Sequence, residues 1–326
     1  MPINSLISAN KKVILLLGPT GVGKTEVSVL LAKRLNTEII SADSMQIYRY
    51  MDIGTAKPTP IELSMVKHHM IDIIDPWESY STGKYISSIA PVFEDIQRQG
   101  KIPLVVGGTG LYIKAMTRGI FSGPSADWRL RNELLSHEEY GKGILYEQLQ
   151  KLDAEAAKKI TPNDTRRIVR ALEVLMKSSQ RISQMQKNLT RPMQYEFLKI
   201  GLTRDRNELY EMIEKRVDSM IASGLVDEVR SITNMISAKF DAGFSHPGHP
   251  LPALQAIGYK EIAQSLRGEM SLDTAVSLIK RASRRYAKRQ FTWFRREDDI
   301  KWIDITGVFS PLEVIVYIDR MLTELL

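Results

Sequence analysis

The sequence contains no cysteine, which excludes disulfide bonds, thiolate metal sites and thiol catalysis. It also lacks any long apolar run, so we expect no segment to span a membrane. The N-terminal residues, MPINSLISANKK, show no basic stretch followed by an apolar one, as a secretory signal would. These absences predict a cytoplasmic protein in a reducing compartment.

Positive charge is concentrated near the C-terminus. The chain of 326 residues has a formal net charge of +7, and eight of the seventeen residues of KRASRRYAKRQFTWFRR (280–296) are basic while none is acidic. Aromatic side chains alternate with these charges, at Tyr286, Phe291, Trp293 and Phe294. Aromatic rings and guanidinium planes stack on unpaired bases, so we favour a nucleic-acid site here over a solvated basic helix.

A phosphate-binding motif lies near the N-terminus. GPTGVGKT (18–25) fits the pattern G-x-x-x-x-G-K-[ST], with an apolar strand predicted before it at 13–17 and a helix after it at 25–35. Such a loop directs backbone N–H groups at an anion, Lys24 adds a charge, and the Thr25 hydroxyl can hold Mg²⁺. The predicted diphosphate-binding residues are Gly18, Pro19, Thr20, Gly21, Val22, Gly23, Lys24 and Thr25.

The first hundred residues alternate between strand and helix patterns, which is typical of an α/β protein. Strands are predicted at 13–17, 38–41 and 102–107, an apolar run lies at 70–74, and helices are predicted at 25–35 and 84–99. The fold class is therefore a P-loop NTPase-like parallel sheet flanked by helices. Anion sites in such sheets lie beyond the carboxyl ends of the strands. GPTGVGKT, SADSMQIY and GGTGLY should thus face one crevice.

A helix-rich segment interrupts this pattern from about residue 122 to residue 196. Within it, TPNDTRRIVRALEVLMK has Asn163 or Asp164 as a helix cap, followed by apolar residues at helical spacing. A strand-like run at 196–203 then rejoins the sheet. We predict a catalytic core formed by residues 1–121 and 197–326, with a helical insertion at 122–196 that serves as a lid or a partner-binding arm.

One arginine falls among apolar positions of a predicted helix. Arg216 lies in the stripe that contains Met212, Ile213, Val217 and Met220. An unpaired charge in such a place is costly, so Arg216 needs a partner. A carboxylate could serve, but we favour a phosphate in the crevice, because guanidinium binds phosphate in a bidentate way.

Three kinds of P-loop chemistry compete. A GTPase would need an N-K-x-D element, which is absent. A small-molecule kinase stays an alternative, with Asp72 and Asp75 as carboxylates that could hold Mg²⁺. The third possibility is a transferase in which the loop holds a diphosphate leaving group and the acceptor is RNA. The aromatic, basic C-terminal stretch favours this third possibility.

Six segments, in this order from residue 18 to residue 295, carry a family resemblance: GPTGVGKT, ISADSMQIYRYMDIGTAKP, VVGGTGLYIKA, NDTRRIVRALEV, AIGYKE and RRYAKRQFTWFR. Together they resemble the tRNA dimethylallyltransferase (tRNA isopentenyltransferase) family. That family moves a dimethylallyl group from its diphosphate to N6 of the adenosine 3′-adjacent to the anticodon. The tRNAs concerned read codons that begin with U. The resemblance implies diphosphate release without ATP hydrolysis.

The resemblance also implies residue roles. Asp43 would be the base that takes a proton from the adenine amine, while Lys24, Arg216 and Mg²⁺ on Thr25 would stabilise the departing diphosphate. The partners implied are dimethylallyl diphosphate and the anticodon stem-loop of tRNA, bound by a monomer. The predicted tRNA-binding residues are Asp43, Ser44, Met45, Gln46, Thr109, Arg131, Arg166, Arg167, Ile168, Val169, Arg170, Gln255, Ala256, Ile257, Gly258, Tyr259, Lys260, Arg285, Lys288 and Arg289.

Overall fold

The computed structural model describes residues 11–241 and 251–325, which divide into two compact units. One unit comprises residues 11–113, 194–241 and 251–325, and the other comprises residues 114–193. The division of the chain into a core of residues 1–121 and 197–326 and an insertion of residues 122–196 remains a prediction.

Eight strands are present in the described residues. They are β1 (Lys12–Leu17), β2 (Ile39–Ala42), β3 (His68–His69), β4 (Leu104–Gly107), β5 (Ile120–Phe121), β6 (Thr190–Arg191), β7 (Glu196–Thr203) and β8 (Lys301–Asp304). Six of them form one sheet in the order β3-β2-β4-β1-β7-β8, and every neighbouring pair in it is parallel. The predicted α/β class with a parallel sheet is confirmed.

Fourteen helices accompany the strands in the described ranges. They are α1 (Lys24–Arg34), α2 (Pro60–Met65), α3 (Thr82–Arg98), α4 (Gly110–Thr117), α5 (Trp128–Tyr140), α6 (Ile144–Leu152), α7 (Ala154–Ala157), α8 (Thr165–Ser178), α9 (Ile182–Leu189), α10 (Arg206–Ala222), α11 (Leu225–Asp241), α12 (Tyr259–Leu266), α13 (Leu272–Phe294) and α14 (Pro311–Leu325). None of them is long and apolar enough to cross a membrane.

The central strand β1 is buried on both faces of the sheet. Its residues Val13 to Leu17 are all apolar and fully buried, as expected for a strand covered on both faces. It pairs with β4, where Ile14 lies opposite Leu104, and with β7, where Ile14 lies opposite Leu198. Because all these strands run the same way, the loops after β1, β2 and β4 leave one edge of the sheet.

The apolar run Met70–Ile74 is not a strand, and the edge strand β3 lies just before it, at His68–His69. Met70 and Asp72 have φ values of 64° and 54°, in the left-handed region that breaks an extended strand. The N–H groups of Ile73 and Ile74 instead bond to the carbonyl oxygen of Ile47. Hydrogen bonds to the loop after β2, which is distant in sequence, therefore replace strand pairing in this run.

The helical unit contains α5 to α9 and the antiparallel pair β5–β6. Asp164 is the residue that caps α8: its Oδ1 accepts the N–H of Arg167 at 3.2 Å. The apolar face of α8 packs into a core of its own with residues of α5, α6 and α9, among them Leu134, Leu149 and Met185. The apolar residues that recur at helical spacing, from which these helices were predicted, thus form the core of this unit.

Candidate active site

The phosphate-binding loop lies between β1 and α1. Gly21 and Gly23 have φ values of 82° and 102°, which glycine adopts without strain. A Cβ at Gly21 would lie 2.7 Å from Cγ1 of Ile213 on α10, so close packing also requires glycine there. Because α1 begins at Lys24, the first unpaired N–H groups of the helix lie at this loop, as anion binding requires.

Lys24 is the cation of this loop. Its ammonium donates to the carbonyl oxygens of Gly18 at 2.9 Å and Pro19 at 2.7 Å. Burial lowers the pKa of Lys24 to about 7; the charge of Arg216 acts in the same direction and the charge of Asp43 opposes it. A polyphosphate bound here would favour the charged lysine, since opposite charges raise the pKa of an amine.

Arg216 extends from α10 toward Lys24 and Asp43. Burial lowers the pKa of Arg216, and the charge of Asp43 partly offsets that effect. Its guanidinium makes no hydrogen bond and no ion pair with any residue in 11–241 or 251–325. No carboxylate of the described residues therefore accepts a hydrogen bond from the five N–H donors of this side chain. The guanidinium is thus available to bind a phosphate group in a bidentate way.

Asp43 follows directly after β2. Its Oδ1 accepts the N–H of Met45 at 2.8 Å, while Oδ2 accepts no hydrogen bond from the described residues. The next N–H, that of Ser44, donates to Oγ1 of Thr109 at 3.0 Å and joins this loop to the loop after β4. The carboxylate is thus fixed through one oxygen and open to a proton donor through the other.

Tyr286 on α13 is the neighbouring group that could compete with Asp43 as a base. Burial raises the pKa of Tyr286 to about 12, and the negative charge of Asp43 acts in the same direction. The phenol therefore stays protonated near neutral pH and acts as a hydrogen-bond donor.

Gln290 joins the phosphate-binding loop to the loop after β4; it lies within RRYAKRQFTWFR but was not among the predicted site residues. Its Oε1 accepts the N–H of Thr20 at 2.8 Å, and its Nε2 donates to the carbonyl oxygen of Gly108 at 2.9 Å. The side chain is buried although it lies in the most basic stretch of the chain. An uncharged amide on the apolar face of that helix, beside Ala287 and Phe294, is the sequence signal that could have identified it.

Replacing Gln290 by Glu keeps the shape of the side chain but removes the N–H donor to Gly108. A buried acceptor left without its donor costs about 1–3 kcal/mol. We expect inorganic diphosphate to bind about tenfold more weakly to Q290E, because the side chain no longer holds Gly108 and its new negative charge lies beside the anion cavity. Calorimetric titration measures this, with Q186E, an exposed glutamine of α9, as the matched control. Equal affinity in Q290E and wild type would contradict the role.

Two cavities meet beside Asp43. The anion cavity, of about 620 Å³, is lined by the phosphate-binding loop, the start of α1, His68 and part of α10. The second cavity, of about 310 Å³, has a mainly apolar wall. Its apolar residues include Met45, Ile213, Val217, Met220, Leu225, Ile257 and Ile279. The residues that line both cavities are Thr20, Asp43, Thr55 and Arg216. The carboxylate and the guanidinium therefore lie where an anion and an apolar or aromatic group would meet.

The predicted RNA-contacting residues on α5 and α8 differ in burial and in hydrogen bonding. Ile168 and Val169 are buried in the core of the helical unit, so their side chains serve packing and cannot be offered to RNA. Arg131 donates to both carboxylate oxygens of Glu173, at 2.9 and 2.8 Å, and Arg170 donates to Glu173 at 2.5 Å. Two of the predicted cations thus neutralise a fully buried carboxylate.

The remaining predicted RNA contacts divide between exposed and buried side chains. Arg166 and Arg167 on α8 are exposed, as are Gln255, Lys260, Arg285, Lys288 and Arg289 in the other unit. Ala256, Gly258 and Tyr259 are buried, and the Tyr259 hydroxyl donates to Glu228 at 2.6 Å. Gln255, Ile257 and Arg289 line the second cavity. Ala256 and Gly258 also line that cavity, so Tyr259 is the buried member of this set whose side chain serves packing and the hydrogen bond to Glu228.

Replacing Glu173 by Gln should destabilise the helical unit by about 3 kcal/mol, because two arginines lose a buried partner. Burial by itself would raise the pKa of Glu173, but hydrogen bonds from Arg131, the Asp127 N–H and Arg170 outweigh it and lower the pKa. The stabilisation is therefore present above the ordinary pKa of glutamate and is lost as the pH falls. Urea unfolding at about pH 7 and about pH 3 measures the difference in unfolding free energy between wild type and E173Q. E155Q, a change at an exposed glutamate, is the control. A difference that does not shrink in acid would contradict this.

The two carboxylates that the kinase alternative invoked are occupied by cations. Asp72 pairs with Lys57, and Asp75 accepts a hydrogen bond from Arg49 at 2.9 Å. Neither residue lines the anion cavity, although Lys57 does. Both aspartates therefore form ion pairs within the loops beside β2.

The fold and the site together define a P-loop-like α/β protein whose anion cavity opens beside a carboxylate into a second, mainly apolar cavity. The family model described as IPP transferase matches residues 46–297, and the one described as isopentenyl transferase matches residues 11–74. The chain belongs to the IPP transferase family.

Relatives and solved structures agree with that membership. A tRNA dimethylallyltransferase of Thermodesulfovibrio yellowstonii is 58% identical over 297 residues, which cover 91% of this chain and 93% of the relative. One from Thermotoga maritima is 48% identical and covers 90% of this chain and 93% of its own length. The crystal structure of the tRNA isopentenylpyrophosphate transferase from Bacillus halodurans is similar with a TM-score of 0.67 at 41% identity, covering 97% of this chain and 98% of that one.

A eukaryotic dimethylallyltransferase acting on tRNA is also similar in structure. Its TM-score is 0.78 at 29% identity, and the match covers 97% of this chain and 80% of that chain. The fold is therefore shared with structures from bacteria and from a eukaryote.

Proposed function

We propose that this protein transfers a dimethylallyl group from dimethylallyl diphosphate to N6 of the adenosine 3′-adjacent to the anticodon (position 37). The substrates would be tRNAs that read codons beginning with U, and the products N6-isopentenyladenosine and diphosphate. The observation that carries the proposal is the meeting of the anion cavity and the second cavity at Thr20, Asp43, Thr55 and Arg216. The names of the relatives support the same reaction.

The junction supplies the base that the reaction needs. The exocyclic amine of adenine is a weak nucleophile because its lone pair is delocalised into the ring. In the proposed step, N6 bonds to the allylic carbon, the bond from that carbon to the diphosphate oxygen breaks, and a proton passes from N6 to Asp43. A base of this kind contributes about 10²–10⁴-fold to a rate. The free Oδ2 of Asp43 is the atom that would accept the proton.

The anion cavity supplies stabilisation of the leaving group. Negative charge builds on the diphosphate as the carbon–oxygen bond breaks. The N–H groups at the start of α1, the Lys24 ammonium and the Arg216 guanidinium are already in place before that charge develops. Such fixed donors lower the barrier because they need no reorganisation during the reaction.

Thr25 fits the role of a Mg²⁺ ligand. Mg²⁺ keeps several waters and commonly takes one or two protein oxygens together with substrate phosphates. No cluster of three or more His, Cys, Asp or Glu side chains in the described ranges could hold a metal alone. The Thr25 hydroxyl lines the anion cavity and suits a cation bound mainly through the diphosphate. When bound, the ion would neutralise charge on the leaving group.

The basic helix α13 supplies the surface for tRNA. Arg285, Lys288 and Arg289 are exposed on it, whereas Gln290 faces the phosphate-binding loop. Exposed cations bind the phosphate backbone, and Arg289 also lines the second cavity. A base turned out of the anticodon loop would be read in that cavity, since chemistry on N6 cannot reach a stacked base. We further propose that a monomer acts in the cytoplasm.

A small-molecule kinase is the alternative from sequence, and the curated relatives do not favour it. The test incubates the protein with radiolabelled dimethylallyl diphosphate and unmodified tRNA, and assays ATP consumption in parallel. Label in the tRNA supports the proposal. ATP turnover on a small acceptor without label transfer would overturn it.

A further inference from the structure

One carboxylate outside the reaction site accepts four hydrogen bonds. Glu228 on α11 accepts the N–H groups of Asp52 at 2.9 Å, Ile53 at 2.8 Å and Gly54 at 3.1 Å. The hydroxyl of Tyr259 on α12 donates to the same carboxylate at 2.6 Å. Three consecutive backbone donors and a phenol thus use the full acceptor capacity of one carboxylate.

These donors belong to the 52–57 loop, which forms part of both cavity walls. Gly54 and Thr55 line the second cavity, and Thr55, Ala56 and Lys57 line the anion cavity. The hydroxyl of Thr55 donates to the carbonyl oxygen of Met51 at 2.6 Å, so it can only accept from a ligand. The position of this loop therefore decides the shape of the junction that Asp43 and Arg216 share.

The loop rests on α11 and α12 through Glu228 and Tyr259. A Cβ at Gly54 would lie 2.5 Å from the ring of Tyr259, so the backbone packs directly on that ring. On its other side the loop is tied to Gln46, whose Nε2 donates to the carbonyl oxygen of Ala56 at 3.2 Å. Burial and the charge of Glu228 raise the pKa of Tyr259, which keeps the phenol protonated and donating.

We propose that Glu228 is a positioning residue for the transfer reaction, because it holds the 52–57 loop so that Thr55 lines the junction with Asp43 and Arg216. This inference rests on the proposed function. Glutamine cannot replace glutamate here. Its amide presents N–H groups to donors, so at least two of the four hydrogen bonds are lost.

The experiment compares wild type, E228Q and D227N. Asp227 is the neighbouring acid on α11, exposed and paired with Arg230, so D227N is a matched change of acid to amide. Hydrogen exchange of the amides of residues 52–54 reports the hydrogen bonds directly. Single-turnover transfer of the dimethylallyl group to tRNA, tRNA affinity and the melting temperature are measured on the same samples.

For E228Q we expect faster exchange at residues 52–54 and a single-turnover rate about tenfold lower. The affinity for tRNA should stay within about twofold, because the exposed cations of α13 are unchanged. A merely structural role would instead lower the folded fraction and leave the rate per folded molecule unchanged. D227N should match wild type in all four measurements.

Unchanged exchange at residues 52–54 in E228Q, or a rate per folded molecule within twofold of wild type, would overturn the inference. If E228Q does not fold, Y259F removes one donor and should give faster exchange and a rate about threefold lower; wild-type values would overturn the inference. If wild type itself transfers no label, the proposed function fails. If wild type transfers label and E228Q behaves like wild type, only the inference about Glu228 fails. The two failures are therefore distinguishable.

Discussion

Replacing Asp43 by Asn is expected to slow prenyl transfer to tRNA by about 10²–10⁴-fold, because an amide cannot take the proton from N6. The side chain keeps its size, and the Asn Oδ1 can still accept the N–H of Met45 that fixes Asp43 Oδ1 now. The affinities for tRNA and for diphosphate should therefore change little. Single-turnover transfer of label under saturating substrate measures the effect.

The control for this prediction is D75N, an Asp to Asn change in a carboxylate paired with Arg49 away from the anion cavity. D75N should keep a rate within a few-fold of wild type after correction for folded protein. A D43N enzyme that retained more than about a tenth of the wild-type rate would show that another group removes the proton. Tyr286, the nearest alternative, would then need a pKa far below its value of about 12.

Replacing Arg216 by Gln should slow transfer by about 10²–10³-fold, as the loss of one fixed donor to a developing anion typically does. Because Arg216 makes no hydrogen bond or ion pair within the described residues, its removal breaks no such pair. Folding should therefore be preserved while the affinity for inorganic diphosphate falls. Calorimetry and single-turnover transfer measure the two effects.

K215Q is the matched control for R216Q, since Lys215 is the adjacent, exposed cation on α10. It should alter neither diphosphate affinity nor rate by more than about twofold. Loss of stability in R216Q without loss of diphosphate affinity would mean that the guanidinium serves packing and does not bind the leaving group.

The sheet was predictable because its strands are buried on both faces and read as continuous apolar runs. Val13 to Leu17 carries that pattern. The strand at 196–203 is interrupted by Lys199 but also lies where its apolar residues predicted it. Edge strand β3 was not predictable. Two histidines have no strand signature, and pairing with Ile39 and Ile40 of β2 sets their conformation.

The residues of the candidate site also fall into those that the sequence predicts and those that only the structure shows. Motif spacing points to Lys24 and Thr25, because phosphate binding fixes these residue types locally, and the family resemblance points to Asp43. Gln290 and Glu228 act over 270 and 176 residues of separation, through hydrogen bonds to backbone groups. Backbone groups carry no sequence signature, so the sequence can at most mark Gln290 as an uncharged residue on an apolar helix face, and only the folded chain identifies the partners of both side chains.

The most direct test of the proposed transfer is the identity of the modified nucleoside. Two transcripts of one tRNA, with adenosine or guanosine at position 37, are incubated with dimethylallyl diphosphate, digested to nucleosides and analysed by mass spectrometry. We expect N6-isopentenyladenosine from the adenosine transcript and no prenylated nucleoside from the other. Equal prenylation of both transcripts, or of neither, would contradict the proposed function.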